Sequence, residues 1–278
     1  MTAPELQRRM LDALLSQIAA DSRIVGVCLT GSLGAGRGDE HSDVDLVLVT
    51  DDAQHESVMS ERMRLIASWA PLVAGFTGEH VGEPRLIITL LGPPLVHVDF
   101  TFVRISDVGR SVRSGEVVHD TAGAVAAELD RAGADAGAGE PGFDLQWAED
   151  RFWVWVHYAA TKAARGEWFE VLDLLGFVRG AVLGPLAAVA AGREARGVRR
   201  IESVAPVAAV ELRSTVCGYE PAAIVEALLA SIALYRRWRD GAEARHAVAA
   251  AAPLVRNVEA ERLAMEFLDV TLAGLHGR

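Results

Sequence analysis

The spacing of apolar residues changes period several times along the chain. Leu6, Met10, Leu14 and Ile18 recur near helical spacing, which predicts an amphipathic helix over Pro4 to Ala20. Two short β-branched runs follow, Ile24-Val25-Gly26-Val27-Cys28-Leu29 and Leu46-Val47-Leu48-Val49, and both read as covered strands. A helix is expected around Glu56 to Trp69 and a strand near Leu72 to Thr77. Past Gly92-Pro93-Pro94 the alternation is strict, with Val96, Val98, Phe100 and Phe102 on one face and His97, Asp99 and Thr101 on the other. With Arg85 to Leu91 before it, this run predicts an antiparallel hairpin. Glu116 to Asp120 forms a last short extended element. From Thr121 the composition thins to alanine and glycine, predicting one short helix and then a mobile linker that ends at Pro141-Gly142. Helical periods fill the rest: Leu145 to Ala164, Trp168 to Ala191, Pro206 to Val216, Pro221 to Arg239 and Glu259 to Leu275. The class is therefore α+β, with a sheet domain over 1–140, an all-helical domain over 141–278 and a small-molecule groove expected between them.

The chemistry concentrates where the first two strands meet. The first runs into Thr30-Gly31-Ser32, a turn whose glycine lets the backbone come close to a ligand and whose N–H groups can cradle phosphate. After ten intervening residues comes Asp43-Val44-Asp45 at the mouth of the second strand. Residues two apart on a strand share a face, so Asp43 and Asp45 point the same way. Two such anions call for a cation between them, and a donor set of oxygens alone suits Mg²⁺ or Mn²⁺. Asp99, mid-strand on a polar face, completes the ligand set or takes a proton from an attacking hydroxyl.

Gly31-Ser32, Asp43-Val44-Asp45 and the later Asp99 together resemble the nucleotidyltransferase superfamily that includes DNA polymerase β, and within it the aminoglycoside and lincosamide nucleotidyltransferases. The resemblance covers roughly the first 105 residues. It implies a short mixed sheet with helices on one side, two Mg²⁺ ions held by Asp43 and Asp45, and Asp99 as a further ligand or base. It also implies that Gly31 and Ser32 hold the β- and γ-phosphates of ATP or another nucleoside triphosphate. The reaction implied is transfer of a nucleoside monophosphate, AMP foremost, to a hydroxyl of a small molecule. A helical C-terminal domain would cover the nucleotide and shape the acceptor site.

Composition narrows the partners. The formal charge of −11 disfavours nucleic acid and favours a cationic acceptor. No apolar run is read as long enough to span a membrane, no leader is evident, and two distant cysteines form no disulfide framework, so a cytoplasmic location is expected. The helical half has enough aliphatic surface to form a homodimer. Lys162 is the only lysine in the chain. It shares a helix stripe with Arg151, Trp155, Tyr158 and Arg165, and a compact ammonium suits a triphosphate. Arg37 is a second candidate for phosphate contact, and His97 and Glu149 for acceptor contact. Arg151 and His157 also match the loose Arg-His pattern of helical ribonuclease toxins that are paired with minimal nucleotidyltransferases. That resemblance supports an alternative, a fused toxin-antitoxin protein acting on protein or RNA.

Overall fold

The computed structural model describes residues 4–135, 143–248 and 253–275, and the chain divides into two compact units, Met1–Ala138 and Gly139–Arg278. The linker expected to end at Pro141-Gly142 lies, from residue 136 onward, outside the described residues.

The first unit is built on six strands: β1 (Ile24–Leu29), β2 (Val44–Thr50), β3 (Leu72–Gly78), β4 (Glu83–Leu91), β5 (Val96–Arg104) and β6 (Glu116–Asp120). Their order in the sheet is β3-β4-β5-β2-β1-β6. The sheet is mixed, because β2 and β5 run parallel while every other neighbouring pair is antiparallel. The expected hairpin is β4 with β5. Helices α1 (Glu5–Ile18) and α3 (His55–Trp69) cover one face, where Leu14, Ile18, Val58 and Ile66 meet Leu46, Leu48, Val98 and Phe100. Four-residue α2 (Gly31–Gly34) follows β1, and the short α4 (Val108–Ser111) and longer α5 (Ala124–Asp135) bracket β6.

Three expectations change here. The buried row of α1 is Gln7, Leu11, Leu14 and Ile18, with Leu6 and Met10 only partly covered, so the helix is turned from the predicted stripe. Helices lie on both sheet faces, because Val108, Val112 and Val125 pack with Cys28, Val47, Val49 and Val103 on the side opposite α1. The glycine segment, expected as a turn, is the head of the short helix α2.

The second unit is helical among its described residues: α6 (Leu145–Ala164), α7 (Trp168–Val178), α8 (Gly184–Ala190), α9 (Ile201–Val204), α10 (Pro206–Leu212), α11 (Pro221–Val248) and α12 (Val258–Leu275). The single helix predicted over Trp168 to Ala191 is interrupted by a π-helical segment, Arg179–Leu183. Contrary to expectation, Trp168–Ala190 is long and apolar enough by length and composition to cross a membrane, with a mean hydropathy of 1.6. Its Val171, Leu175, Val182, Leu183 and Leu186 instead fill the core of this unit.

Candidate active site

Parallel pairing of β2 with β5 sets Asp45 directly beside Asp99, both on the face away from α1 and α3. Asp43, just before β2, joins them, and one carboxylate oxygen from each of Asp43, Asp45 and Asp99 lies within 4.8 Å of the others. All three are half-buried. Burial first, and the nearby Asp43 carboxylate with it, hold the Asp99 carboxyl above its ordinary range, against the opposing pull of His97. His97 Nε2 lies 2.9 Å from Asp99 Oδ1 and its ring is exposed. Three carboxylates this close repel one another, and a hard divalent cation relieves that repulsion with the oxygen ligands it prefers.

The glycine turn is fitted to this cluster. Gly31 has φ +62°, and a Cβ there would sit 1.7 Å from Asp45 Oδ2, so no other residue leaves the carboxylate in place. Thr30 N donates to the Asp45 carbonyl at 2.9 Å, tying the end of β1 to the start of β2. Ser32 Oγ donates to Ser42 Oγ at 2.9 Å, and Ser42 Oγ in turn receives the Asp39 N–H. A residue absent from the sequence reading completes the arrangement. Gln7, 4% exposed on α1, donates from Nε2 to the carbonyls of Glu40 (3.1 Å) and Ser42 (3.0 Å), clamping the loop immediately before Asp43. The sequence signal was a lone amide on the apolar row of α1.

The other predicted residues are placed differently. Arg37 is exposed in the loop, its backbone N–H bonded to the Ser32 carbonyl. Lys162 Nζ is held by Glu167 at 2.7 Å and Glu170 at 2.8 Å, in a cluster that also takes the Tyr158 hydroxyl on Glu170. Glu149 is not available to an acceptor: it is 1% exposed and its oxygens accept from Tyr235 Oη (2.6 Å), Asn257 N (3.1 Å), Trp153 Nε1 and Arg239 Nη1. Burial works to raise its carboxyl, yet the Tyr235 hydroxyl, the Asn257 N–H and the Arg239 charge hold it below the ordinary range. Arg151 and His157 stand six residues apart on α6, about 120° around the helix axis, and do not share a face. Arg151 bonds the Trp147 carbonyl and His157 packs on Phe267.

No protein-family model matches the chain, and no curated protein does. Among solved structures, an aminoglycoside 6-adenyltransferase from Bacillus subtilis is similar over 96% of this chain and 98% of its own, at 15% identity and a TM-score of 0.40. A nucleotidyltransferase-like protein from Exiguobacterium sibiricum is similar over 82% of this chain and 74% of its own, at 11% identity and a TM-score of 0.37. Likeness of this degree carries no functional weight, which leaves the residues of the site to carry it.

Proposed function

We propose that the protein is a divalent-metal-dependent nucleotidyltransferase that moves AMP from ATP to a hydroxyl of a small molecule and releases pyrophosphate. The observation that carries this reading is the gathering of Asp43, Asp45 and Asp99 within 4.8 Å beside the Gly31 turn, where a Cβ would collide with the Asp45 carboxylate. Asp43 and Asp45 would hold two Mg²⁺ or Mn²⁺ ions, with Asp99 shared as ligand or base. Such ions, when bound, acidify the acceptor hydroxyl and neutralise charge on the departing pyrophosphate.

The chain's own groups do the remainder. The first turn of α2 presents backbone N–H groups that lack intrahelical partners by position, and with Ser32 Oγ they form the seat for the β- and γ-phosphates. Asp99 accepts the hydroxyl proton as the acceptor oxygen bonds to the α-phosphorus. The bond from that phosphorus to the bridging oxygen breaks, and the electron pair leaves with pyrophosphate. We also propose Lys162 and Arg37 as further phosphate contacts, Lys162 after release from its two glutamates, and 1–140 with 141–278 as catalytic and covering domains. The free thiols of Cys28 and Cys217 fit a cytoplasmic setting.

The test is pyrophosphate release from Mg-ATP across a panel of hydroxylated small molecules, beside an Asp43→Asn, Asp45→Asn double variant. Outer groups that merely orient metal ligands are worth about 10- to 100-fold in affinity or activity. Loss of two ligands should lower acceptor-dependent release more than about a hundredfold. Equal release by the variant would remove the carboxylates from the chemistry.

A further inference from the structure

The sheet face that carries the carboxylates continues, beyond β5, into an apolar surface. Asp99 pairs with Ile88 of β4, and Ile88 pairs with Phe76 of β3, so Asp45, Asp99, Ile88 and Phe76 form one row across four strands on one face. A second row on the same face runs from His97 to Leu90 to Ala74. The alternate residues of β4, Ile87, Thr89 and Leu91, point the other way and are buried. Phe76 is 53% exposed and Leu90 39%, with Ile88 half-buried between them and the His80 ring packed on Phe76. Strands are spaced about 4.8 Å apart, so the shelf reaches about 10 Å from Asp99, the length of one or two rings.

What belongs on it follows from the direction of the reaction, and so rests on the proposed nucleotidyl transfer. The phosphate turn follows β1, the carboxylates stand on β2 and β5, and β4 and β3 lie beyond. In an in-line displacement the attacking oxygen and the leaving group are on opposite sides of the phosphorus. With pyrophosphate leaving toward the β1 turn, the attacking hydroxyl enters from the β4 side, next to Asp99. We propose that the acceptor lies on the shelf of Phe76, Ile88 and Leu90, and that it is a molecule with an apolar or planar face beside its reactive hydroxyl. The described residues of the shelf offer a polycationic sugar no carboxylate other than those of the metal site, so the shelf does not favour the cationic acceptor that the net charge suggested.

Backbone amide spectra of the intact protein with a nucleotide analogue that cannot transfer test this directly. Lincomycin and kanamycin serve as the apolar-faced and polycationic probes, and Mn²⁺ is added in a separate titration. Lincomycin is expected to shift the amides of Phe76, Ile88, Leu90 and His97, and Phe76→Ser to weaken its binding about tenfold. Leu90→Gln should act in the same direction, and Val207→Ser, on an exposed position of the second unit, should not. Kanamycin should leave the shelf amides unmoved. Shelf amides that respond to kanamycin, or to neither probe, overturn the proposal, as does a dimer in which a second copy covers Phe76. Mn²⁺ broadening centred on Asp43, Asp45 and Asp99 reports separately on the metal site. Broadening there without a shelf response defeats the acceptor proposal alone, whereas no broadening defeats the nucleotidyl-transfer reading beneath it.

Discussion

At the scale of single residues, Gly31 is held to glycine both by its backbone and by the carboxylate beside it. Its left-handed backbone costs an alanine about 1–2 kcal/mol, and the added Cβ must also displace the Asp45 carboxylate. Gly31→Ala is therefore expected to unfold about 1–2 kcal/mol more easily and to lose Mn²⁺ binding, read by denaturant titration and by metal titration. His55 provides a pH handle remote from the site. Thr50 Oγ1 gives its proton to the Val103 carbonyl, so it accepts from His55 Nδ1, at 2.8 Å, and the neutral ring carries its proton on Nδ1. Burial first, and Arg104 after it, depress this imidazole below its ordinary 6.5. The folded protein thus binds fewer protons here than the unfolded chain. The contribution is complete above pH 6.5 and is lost as pH falls below it, by at most about 1.4 kcal/mol per pH unit. In His55→Asn, whose amide can still donate to Thr50, the fall in stability from pH 7 to 5 should be shallower.

Among the elements, helix α1 is tied to the site by Gln7, which explains why an amide replaces a leucine on its buried row. Among the described residues no donor reaches Gln7 Oε1, a buried acceptor whose burial costs about 1–3 kcal/mol. The return is in the two carbonyls that Nε2 holds before Asp43. Gln7→Met keeps the volume and discards both halves of the amide, so stability should stay within about 1.5 kcal/mol of the parent. Mn²⁺ affinity should fall about tenfold, as for loss of a group behind a ligand. The strands and most helices were legible because their periods are strong, as in Val96 to Phe102, where alternation and burial coincide. The Asp45–Asp99 register was not, since strand order depends on contacts that no local pattern carries. Glu149 misled for a related reason. An acid in the first two turns of a helix normally caps it in solvent, and only the arrival of Tyr235 and Arg239 from α11 turns it inward. Removing one partner of a buried pair costs about 3–5 kcal/mol, which is the expected loss for Glu149→Ala. With five of the six tryptophans in the second unit, tryptophan fluorescence during urea unfolding reads that loss in the right place.

For the whole molecule, the two units divide the physical tasks. The first holds the carboxylates, the glycine turn and the apolar shelf; the second is a helical core pinned by the Glu149–Arg239–Glu261 network. The net charge of −11 sets this chain apart from proteins that grip nucleic-acid backbones, and any acceptor-dependent turnover should lack the steep salt dependence of phosphate-backbone binding. Turnover measured from low to moderate salt checks this, and a fall of several powers of ten would point to a nucleic-acid acceptor. The proposed reaction transfers a nucleotidyl rather than a phosphoryl group. It is tested most directly with ATP labelled at the α-phosphorus in one reaction and at the γ-phosphorus in another, each with Mg²⁺ and an apolar-faced hydroxyl acceptor. Nucleotidyl transfer puts the α label on the acceptor and the γ label in pyrophosphate, and Asp43→Asn, Asp45→Asn should abolish both. A γ label on the acceptor, or an α label that the double variant still transfers, would contradict it.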